Sequence, residues 1–228
     1  VMGTWPSVYS NVTCRATRPV ENVRWYDVRH GASPGTKAPN DWAVPTGTIF
    51  MYYLRERTAG MKFDLPTEAQ WEHACRAGTT ADRYFDGDVI QHTRGPWEVE
   101  GVYVQNAPYD CDTRWGTAKV GSYPANPWGL YDMIGNVQEV VYDMAPIDKA
   151  ATIQTDIDAG LFADTPENLA AYYTDPWKWP GRTSNNVVAT RGSGFSNNAA
   201  TFYSFARSRA GINEKARNVG FRVSLTVR

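Results

Sequence analysis

Residues 120–139 read VGSYPANPWGLYDMIGNVQE and decide what kind of fold the chain can form. Glycine, proline and asparagine recur every few residues, and large rings such as Trp128 and Tyr131 stand between them. These residue types favour turns, and a β-like pattern begins only at residues 137–142. The stretch therefore indicates a scaffold of loops held by aromatic side chains, with little regular structure.

The composition of the whole chain agrees with this interpretation. Its 228 residues include 19 Gly, 14 Pro and 9 Trp, and 42% are hydrophobic, which excludes both long helical bundles and a disordered chain. The net charge of -1 argues against a nucleic-acid-binding surface, which needs clustered Lys and Arg. No apolar run approaches the roughly 20 residues of a transmembrane helix, so we expect no membrane insertion.

Periodicity and turn signals predict a short series of elements. Residues 67–78 form the clearest helix, because Thr67 and Gln70 make a capping box and Gly78 ends it. The other predicted elements are a helix at 48–57, a strand at 61–65, a long loop at 82–126, a strand at 137–142, a helix from 165 to about 173, and strands at 187–190 and 221–225.

Three cysteines, Cys14, Cys75 and Cys111, are an odd number without zinc-site spacing. Free thiols and a single disulfide both remain open, and so does the compartment.

Four segments resemble the motifs of one family, in that family's order. They are residues 18–25 (RPVENVRW), 65–79 (LPTEAQWEHACRAGT), 120–139, and RG at 191–192 with NVGFRV at 218–223. On these segments the chain resembles the formylglycine-generating-enzyme-like, or sulfatase-modifying factor, domain. The resemblance implies an α+β class with an irregular, loop-rich C-type-lectin-like fold. We expect one domain over residues 1–228, with an insertion at about 145–185.

The resemblance also implies where the catalytic groups of the family's enzymes would lie in this chain. Oxidase members of the family carry a cysteine pair that binds copper(I) in their last motif, but residues 194–208 contain no cysteine. We therefore expect no copper. Iron-dependent sulfoxide synthases of the family need three metal-binding histidines, whereas the three histidines here lack ligand spacing.

The turn at residues 135–139 resembles a calcium site of the family. Asn136 and Glu139 offer side-chain oxygens, and Gly135 and Val137 offer carbonyls, which are the ligands that Ca²⁺ prefers. Structural calcium is one interpretation. The alternative is a tight turn in which Asn136 caps its own backbone and Glu139 pairs with an arginine.

The C-terminal segment is the candidate ligand-binding surface. It mixes rings, small polar groups and arginines, as binding loops do. Its candidate residues are Phe195, Asn197, Asn198, Thr201, Phe202, Tyr203, Phe205, Arg207, Arg209 and Asn213. The alternative places the three phenylalanines in the core. Arg207 and Arg209, two residues apart, can face one side and either bind a ligand or pair with acids.

Residues 185–213 contain no Lys, Glu, Gln, Trp or Met, the types that codons ending in C or T cannot encode. This resembles the variable proteins of diversity-generating retroelements, whose hypermutated segment ends before a fixed GFRV.

The sequence supports three hypotheses. The first is a non-catalytic protein that presents its C-terminal loops to a protein or surface ligand. The second is an enzyme, or an accessory subunit, that uses the same pocket without the cysteine pair. The third is a structural domain of a surface or phage protein. A cell surface or phage location follows if the variable-protein interpretation holds, and the oligomeric state stays open.

Overall fold

The computed structural model describes residues 6–8, 15–29, 49–86, 116–144, 165, 187–197 and 201–225. Among them lie helices α1 (Trp25–Val28), α2 (Phe50–Arg57) and α3 (Glu68–Arg76), and a 3₁₀ turn at Arg15–Thr17. The strands are β1 (Phe63–Asp64), β2 (Gln138–Met144), β3 (Val187–Arg191), β4 (Arg207–Gly211), β5 (Val219–Phe221) and β6 (Ser224–Leu225). None of the described helices is long and apolar enough to cross a membrane. The predicted α+β class is confirmed.

The described strands form two sheets. The larger has the order β4-β3-β2-β5, with β2 antiparallel to β3, β3 antiparallel to β4, and β5 parallel to β2. The smaller pairs β1 with β6. In this part of the chain β4 and β5 are therefore the edges of the larger sheet.

The helix predicted at residues 67–78 is confirmed as α3. The Thr67 side chain accepts a hydrogen bond from the Gln70 amide (3.2 Å), and the Gln70 side chain accepts one from the Thr67 amide (2.9 Å). Trp71 and Cys75 lie one turn apart on its buried face, at 1% and 0% exposure. The capping box and the apolar stripe thus fix where the helix begins and which side faces the core.

Each face of the larger sheet covers its own core cluster, because successive side chains on a strand point to opposite faces. Val140 and Val188 pack with α1 and α2, whereas their neighbours Val141 and Ala189 pack with α3. Gly220, in the last of the four motifs, lies directly against the backbone of Val20 in the first. A Cβ there would lie 2.5 Å from the Val20 carbonyl oxygen, so only glycine fits this crossing.

Four sequence predictions need correction or lie, wholly or mostly, outside the described residues. The segment before Asn213 was expected to lack a strand, but β4 forms there because it pairs with all five residues of β3. The strand predicted at 221–225 is two strands, which pair with β2 and β1 respectively. The predicted helix after residue 165 and most of the predicted loop at 82–126 fall outside the described residues.

Candidate ligand-binding surface

The C-terminal segment is held against the turn at residues 135–136. The Gly135 amide donates to the Gly192 carbonyl (2.7 Å), and the Phe195 amide donates to the Asn136 carbonyl (2.9 Å). Gly192 has a φ of +88°, and a Cβ there would lie 3.0 Å from the Trp71 ring. The path of the chain into the candidate surface is therefore fixed by backbone contacts that only glycine permits at this position.

Arg191 connects β3, α3 and the loop that leads into β4. It is buried, and its guanidinium donates to the carbonyls of Phe205 (2.7 Å) and Ala206 (3.0 Å). The same group forms ion pairs with Glu72 and, at 3.3 Å, with Glu68. Sequence reasoning did not assign this residue. The sequence does contain a signal for it, because Arg191 is a charged residue at the end of an apolar strand. A charge that is buried there needs partners.

Two of the candidate phenylalanines lie inside the protein. Phe202 is 0% exposed and packs with Trp71, Cys75 and Met133, and Phe195 is 7% exposed. Their assignment to a ligand-binding surface was wrong, because these rings fill the space under the loops. The alternative interpretation, that they belong to the core, is the one the packing supports.

Tyr203 and Phe205 form the aromatic part of the surface. Their rings are parallel within 2°, with centroids 5.1 Å apart. The Arg83 guanidinium lies 4.8 Å from the Tyr203 ring centroid and donates to the Phe202 carbonyl (2.7 Å). Phe205 remains 46% exposed. Stacking and the cation–π contact hold the pair rigidly while the Phe205 ring stays accessible.

The polar candidates divide between structural and exposed roles. Asn197 accepts hydrogen bonds from the Gln138 side chain (2.8 Å) and the Gly194 amide (2.7 Å), so its carbonyl oxygen shapes the turn. Thr201 and Asn213 are exposed, and Asn198 lies outside the described residues. Thr201 also accepts hydrogen bonds from the Ser193 hydroxyl at its carbonyl (2.6 Å) and at its own hydroxyl (3.4 Å), so it has a structural role as well as an exposed surface.

Arg207 and Arg209 lie on the same side of β4, as their spacing predicted. They stand opposite Arg191 and Ala189 of β3, both of which point toward α3. Arg207 forms an ion pair with the buried carboxylate of Glu68. Arg209 is exposed and forms no ion pair with a described residue. The first arginine is therefore structural, and the second is available to a ligand.

At the predicted calcium turn, the side-chain oxygens have protein partners. Asn136 accepts from the Ala118 amide (3.0 Å), and Glu139 accepts from Trp71 Nε1 (2.6 Å) and from Arg222. The Glu139 contacts match the alternative, in which the glutamate pairs with an arginine. The Asn136 side chain instead binds the backbone of Ala118, to which it also donates (3.3 Å), rather than its own backbone. No group of three or more His, Cys, Asp or Glu suited to a metal is found among the described residues.

Calcium at Gly135, Asn136, Val137 and Glu139 stays a prediction, with Arg222 as an internal competitor for the carboxylate. A calcium ion that binds there must displace the Arg222 guanidinium from Glu139. Thermal unfolding in calcium and in a chelator tests it. A rise in melting temperature with calcium that is lost in Glu139→Gln would support the site, whereas equal melting temperatures would contradict it.

Cys75 lies in the core beside Phe202. Burial raises the pKa of its thiol to about 12. At pH 8 the thiolate fraction is then about 10³-fold below that of an exposed cysteine, so we expect alkylation to be slower by about that factor. Peptide-level mass spectrometry after iodoacetamide treatment should show Cys75 unmodified in the native protein and modified in urea. Equal labelling in both states would contradict the burial.

Asp143 lies at the N-terminus of α3. One carboxylate oxygen accepts the Glu68 amide hydrogen bond (2.5 Å), and the other has no hydrogen-bond partner among the described residues. Burial, together with the Glu68 charge, raises the pKa of Asp143 to about 6. The unfolded-state pKa is roughly 3.9, so the folded state holds this proton more tightly.

This raised pKa predicts a pH dependence of stability. The contribution of protonated Asp143 is complete below about pH 4 and is lost as the pH rises to about 6. Asp143→Asn keeps an acceptor for the Glu68 amide without the charge. We expect its free energy of unfolding, relative to wild type, to rise by about 2 kcal/mol between pH 4 and pH 7. Urea titrations across this range measure it, and parallel curves would refute the assignment.

Together these features define a class of protein: a loop-built α+β domain whose last motif carries an exposed aromatic and basic surface. The family model of the sulfatase-modifying factor enzyme 1-like domain matches residues 4–227. The chain belongs to this family, and the predicted fold of the formylglycine-generating-enzyme type is confirmed.

Individual relatives cover the chain to different extents. The formylglycine-generating enzyme of Mycobacterium tuberculosis is 48% identical over 86 residues, which is 36% of this chain and 27% of that protein. PvdO from Pseudomonas aeruginosa has a similar structure, with a TM-score of 0.60 and 21% identity over 92% of this chain and 63% of that one. Treponema denticola variable protein 1 also has a similar structure, with a TM-score of 0.56 and 22% identity over 98% of this chain and 78% of that one. At these identities the two structures show the fold alone.

Proposed function

We propose that this domain is a non-catalytic ligand-binding protein that presents residues 201–213 to a protein or surface ligand. The observation that carries the proposal is the Tyr203–Phe205 stack, with Phe205 46% exposed on a frame fixed by Arg191 and Arg83. Rigid rings bind with little loss of conformational entropy, and adjacent small polar groups adapt to the partner.

The chemistry of the segment supports a role without catalysis. Where the family's oxidases carry their cysteine pair, residues 194–208 have none. Cys75, in the cluster that includes Phe202, has a thiol whose pKa is raised to about 12 by burial. Such a thiol is a poor nucleophile and a poor ligand for a metal at neutral pH.

Diversification of the surface by a retroelement is the second part of this proposal. It is supported by the missing residue types in 185–213 and by the shared fold with Treponema denticola variable protein 1. The structure separates exposed Phe205 and Asn213 from buried Phe202, Ser204 and Ile212 in the same segment. Only the exposed positions can change without a cost to the core. A cell surface or phage location accompanies this proposal.

Sequencing the gene and its surroundings in independent isolates tests diversification. We expect a reverse transcriptase gene, a near-copy of the 3′ end, and substitutions at the codons of Phe205 and Asn213 but not of Phe202 and Ile212. Exposed and buried positions that are equally constant would refute diversification and leave the binding proposal to the next experiment.

Photo-crosslinking tests the binding proposal. A photoreactive side chain at position 205 is compared with one at Trp128, an exposed ring of another surface that is 51% accessible. We expect a partner from the source cells to cross-link at 205 and not at 128. Unlabelled wild type should compete, and Phe205→Ser should not. No cross-link at 205, or equal competition by the variant, would refute the proposal.

The second candidate is an enzyme of the sulfatase-modifying family, favoured by the 48% identity to the Mycobacterium tuberculosis formylglycine-generating enzyme. This enzyme, or accessory subunit, would use the same pocket without the cysteine pair and without copper. It is tested by incubating the chain, without added copper, with dissolved oxygen, a thiol reductant and a sulfatase-type cysteine peptide. Conversion of the thiol to an aldehyde, seen by mass spectrometry, would favour this candidate over the first.

A further inference from the structure

β4 is an edge strand. It pairs with β3 along its whole length, and no described strand pairs with its other side. Arg207, Ser208 and Arg209 are exposed. An edge strand carries a row of backbone N–H and C=O groups that a strand from another chain can pair with.

The arginines beside this edge outnumber the described carboxylates that pair with them. Glu68 and Glu72 of α3 already pair with Arg191, and Glu68 also pairs with Arg207. Glu72 further pairs with Arg76 within the helix. These two carboxylates therefore serve three guanidinium groups, and none of the described acids pairs with Arg209. Among the described residues, the positive charge of this edge is therefore left unpaired at the exposed Arg209.

Both ends of the edge are held in place. At the start, Arg191 binds the carbonyls of Phe205 and Ala206 (2.7 and 3.0 Å). At the end, the Gly211 amide donates to the Glu214 side chain (3.0 Å). Because the strand is already ordered, a partner strand would add to it without the entropic cost of ordering β4.

We propose that the outer edge of β4, the side that pairs with no described strand, binds an extended acidic segment of a partner polypeptide. The segment pairs with the β4 backbone, places a carboxylate against Arg209 and contacts the Phe205 ring beside the start of the strand. This inference rests on the proposed binding function and names the chemical class of its partner. A polypeptide fits better than a small anion, because an anion would use Arg209 but not the strand edge or the ring.

The probe is a displayed library of random peptides of about twelve residues, selected on the purified full chain. We expect selected peptides to be rich in Asp, Glu and β-branched residues and poor in proline. Arg209→Glu should weaken their binding at least tenfold, whereas Lys62→Glu, the same charge reversal at another exposed position, should not. Methylation of alternate peptide amides should abolish binding, because every second amide of an added strand faces β4.

The outcomes of this experiment distinguish a failure of the acidic-strand proposal from a failure of the proposed binding function. Failure to select any peptide, peptides without an excess of acids, or equal binding by Arg209→Glu would overturn the acidic-strand proposal. If Phe205→Ser still fails to compete in the photo-crosslinking experiment in those cases, the surface binds a different class of ligand and the proposed function stands. If neither variant changes binding of any selected peptide, both proposals fail.

Discussion

Replacing Asp64 by Asn is expected to lower the free energy of unfolding by about 3–5 kcal/mol, the range seen when one member of a buried ion pair is removed. Asp64 is completely buried and accepts hydrogen bonds from Arg29 Nε (2.6 Å), Arg55 Nη2 (3.1 Å) and the Leu65 amide (2.8 Å). It is the anion shared by two buried guanidinium groups. Asparagine keeps the shape but leaves both cations without a countercharge.

The position of these cations makes the expected loss large. Burial lowers the pKa of Arg55, and the Arg29 charge adds to this, while Asp64 opposes it. In the part of the chain that the structure describes, one buried nitrogen of Arg29 already has no hydrogen-bond partner. Its guanidinium lies 4.3 Å from the Tyr142 ring centroid.

Asp27→Asn is the matched control, since its partner Arg24 is 44% exposed and water screens the pair. It should cost less than about 1 kcal/mol. Guanidinium chloride titrations of both variants give the comparison. A loss below about 1 kcal/mol for Asp64→Asn would show that the buried arginines find other partners.

The elements that could be predicted from the sequence are those whose capping residues and apolar positions lie close together in the chain. Thr67, Gln70 and the apolar side of α3 lie within ten residues, and the structure has this helix as predicted. β4 was missed because its residues, RSRAG, carry no alternation of apolar and polar side chains. Its strand conformation comes from pairing with β3, a contact between segments about twenty residues apart in the chain that no local pattern encodes.

The candidate surface was predicted in position but not in detail. Residue type alone cannot separate Phe202 from Phe205, since both are phenylalanines in an aperiodic loop three residues apart. The separation comes from Arg191, which holds the Phe205 carbonyl, and from α3, whose Trp71 covers Phe202. Both are distant in sequence, so burial in this loop is a tertiary property.

One network of ion pairs therefore connects the core helix α3 with the candidate binding surface. Glu68 begins α3, pairs with Arg191 and Arg207, and lies beside Asp143, so the helix N-terminus and the binding edge share the same charges. Because Arg207 is neutralised within this network, we expect the specificity of the proposed binding surface to depend on Arg209 and Phe205. A change of ligand can then occur at exposed positions while the network keeps the scaffold constant.

Phe202→Ala and Phe205→Ala are expected to separate stability from binding. Phe202 is completely buried, and truncation of such a ring costs about 3–5 kcal/mol through lost transfer energy and the cavity that remains. Phe205 is 46% exposed, so its truncation removes mainly the stacking on Tyr203, worth about 0.5–1.5 kcal/mol. Chemical denaturation of the two variants measures this contrast.

Binding should follow the opposite order. An exposed rigid ring at the centre of a contact contributes about 2 kcal/mol or more, so Phe205→Ala should weaken ligand binding by about 30-fold while the domain stays folded. Phe202→Leu keeps an apolar core and should leave affinity within about threefold of wild type in the folded fraction, because this ring touches no ligand. If Phe202→Leu weakened binding as much as Phe205→Ala at equal folded fraction, the buried ring would act on the ligand through the loop. The surface would then be a property of the whole segment rather than of its exposed side chains.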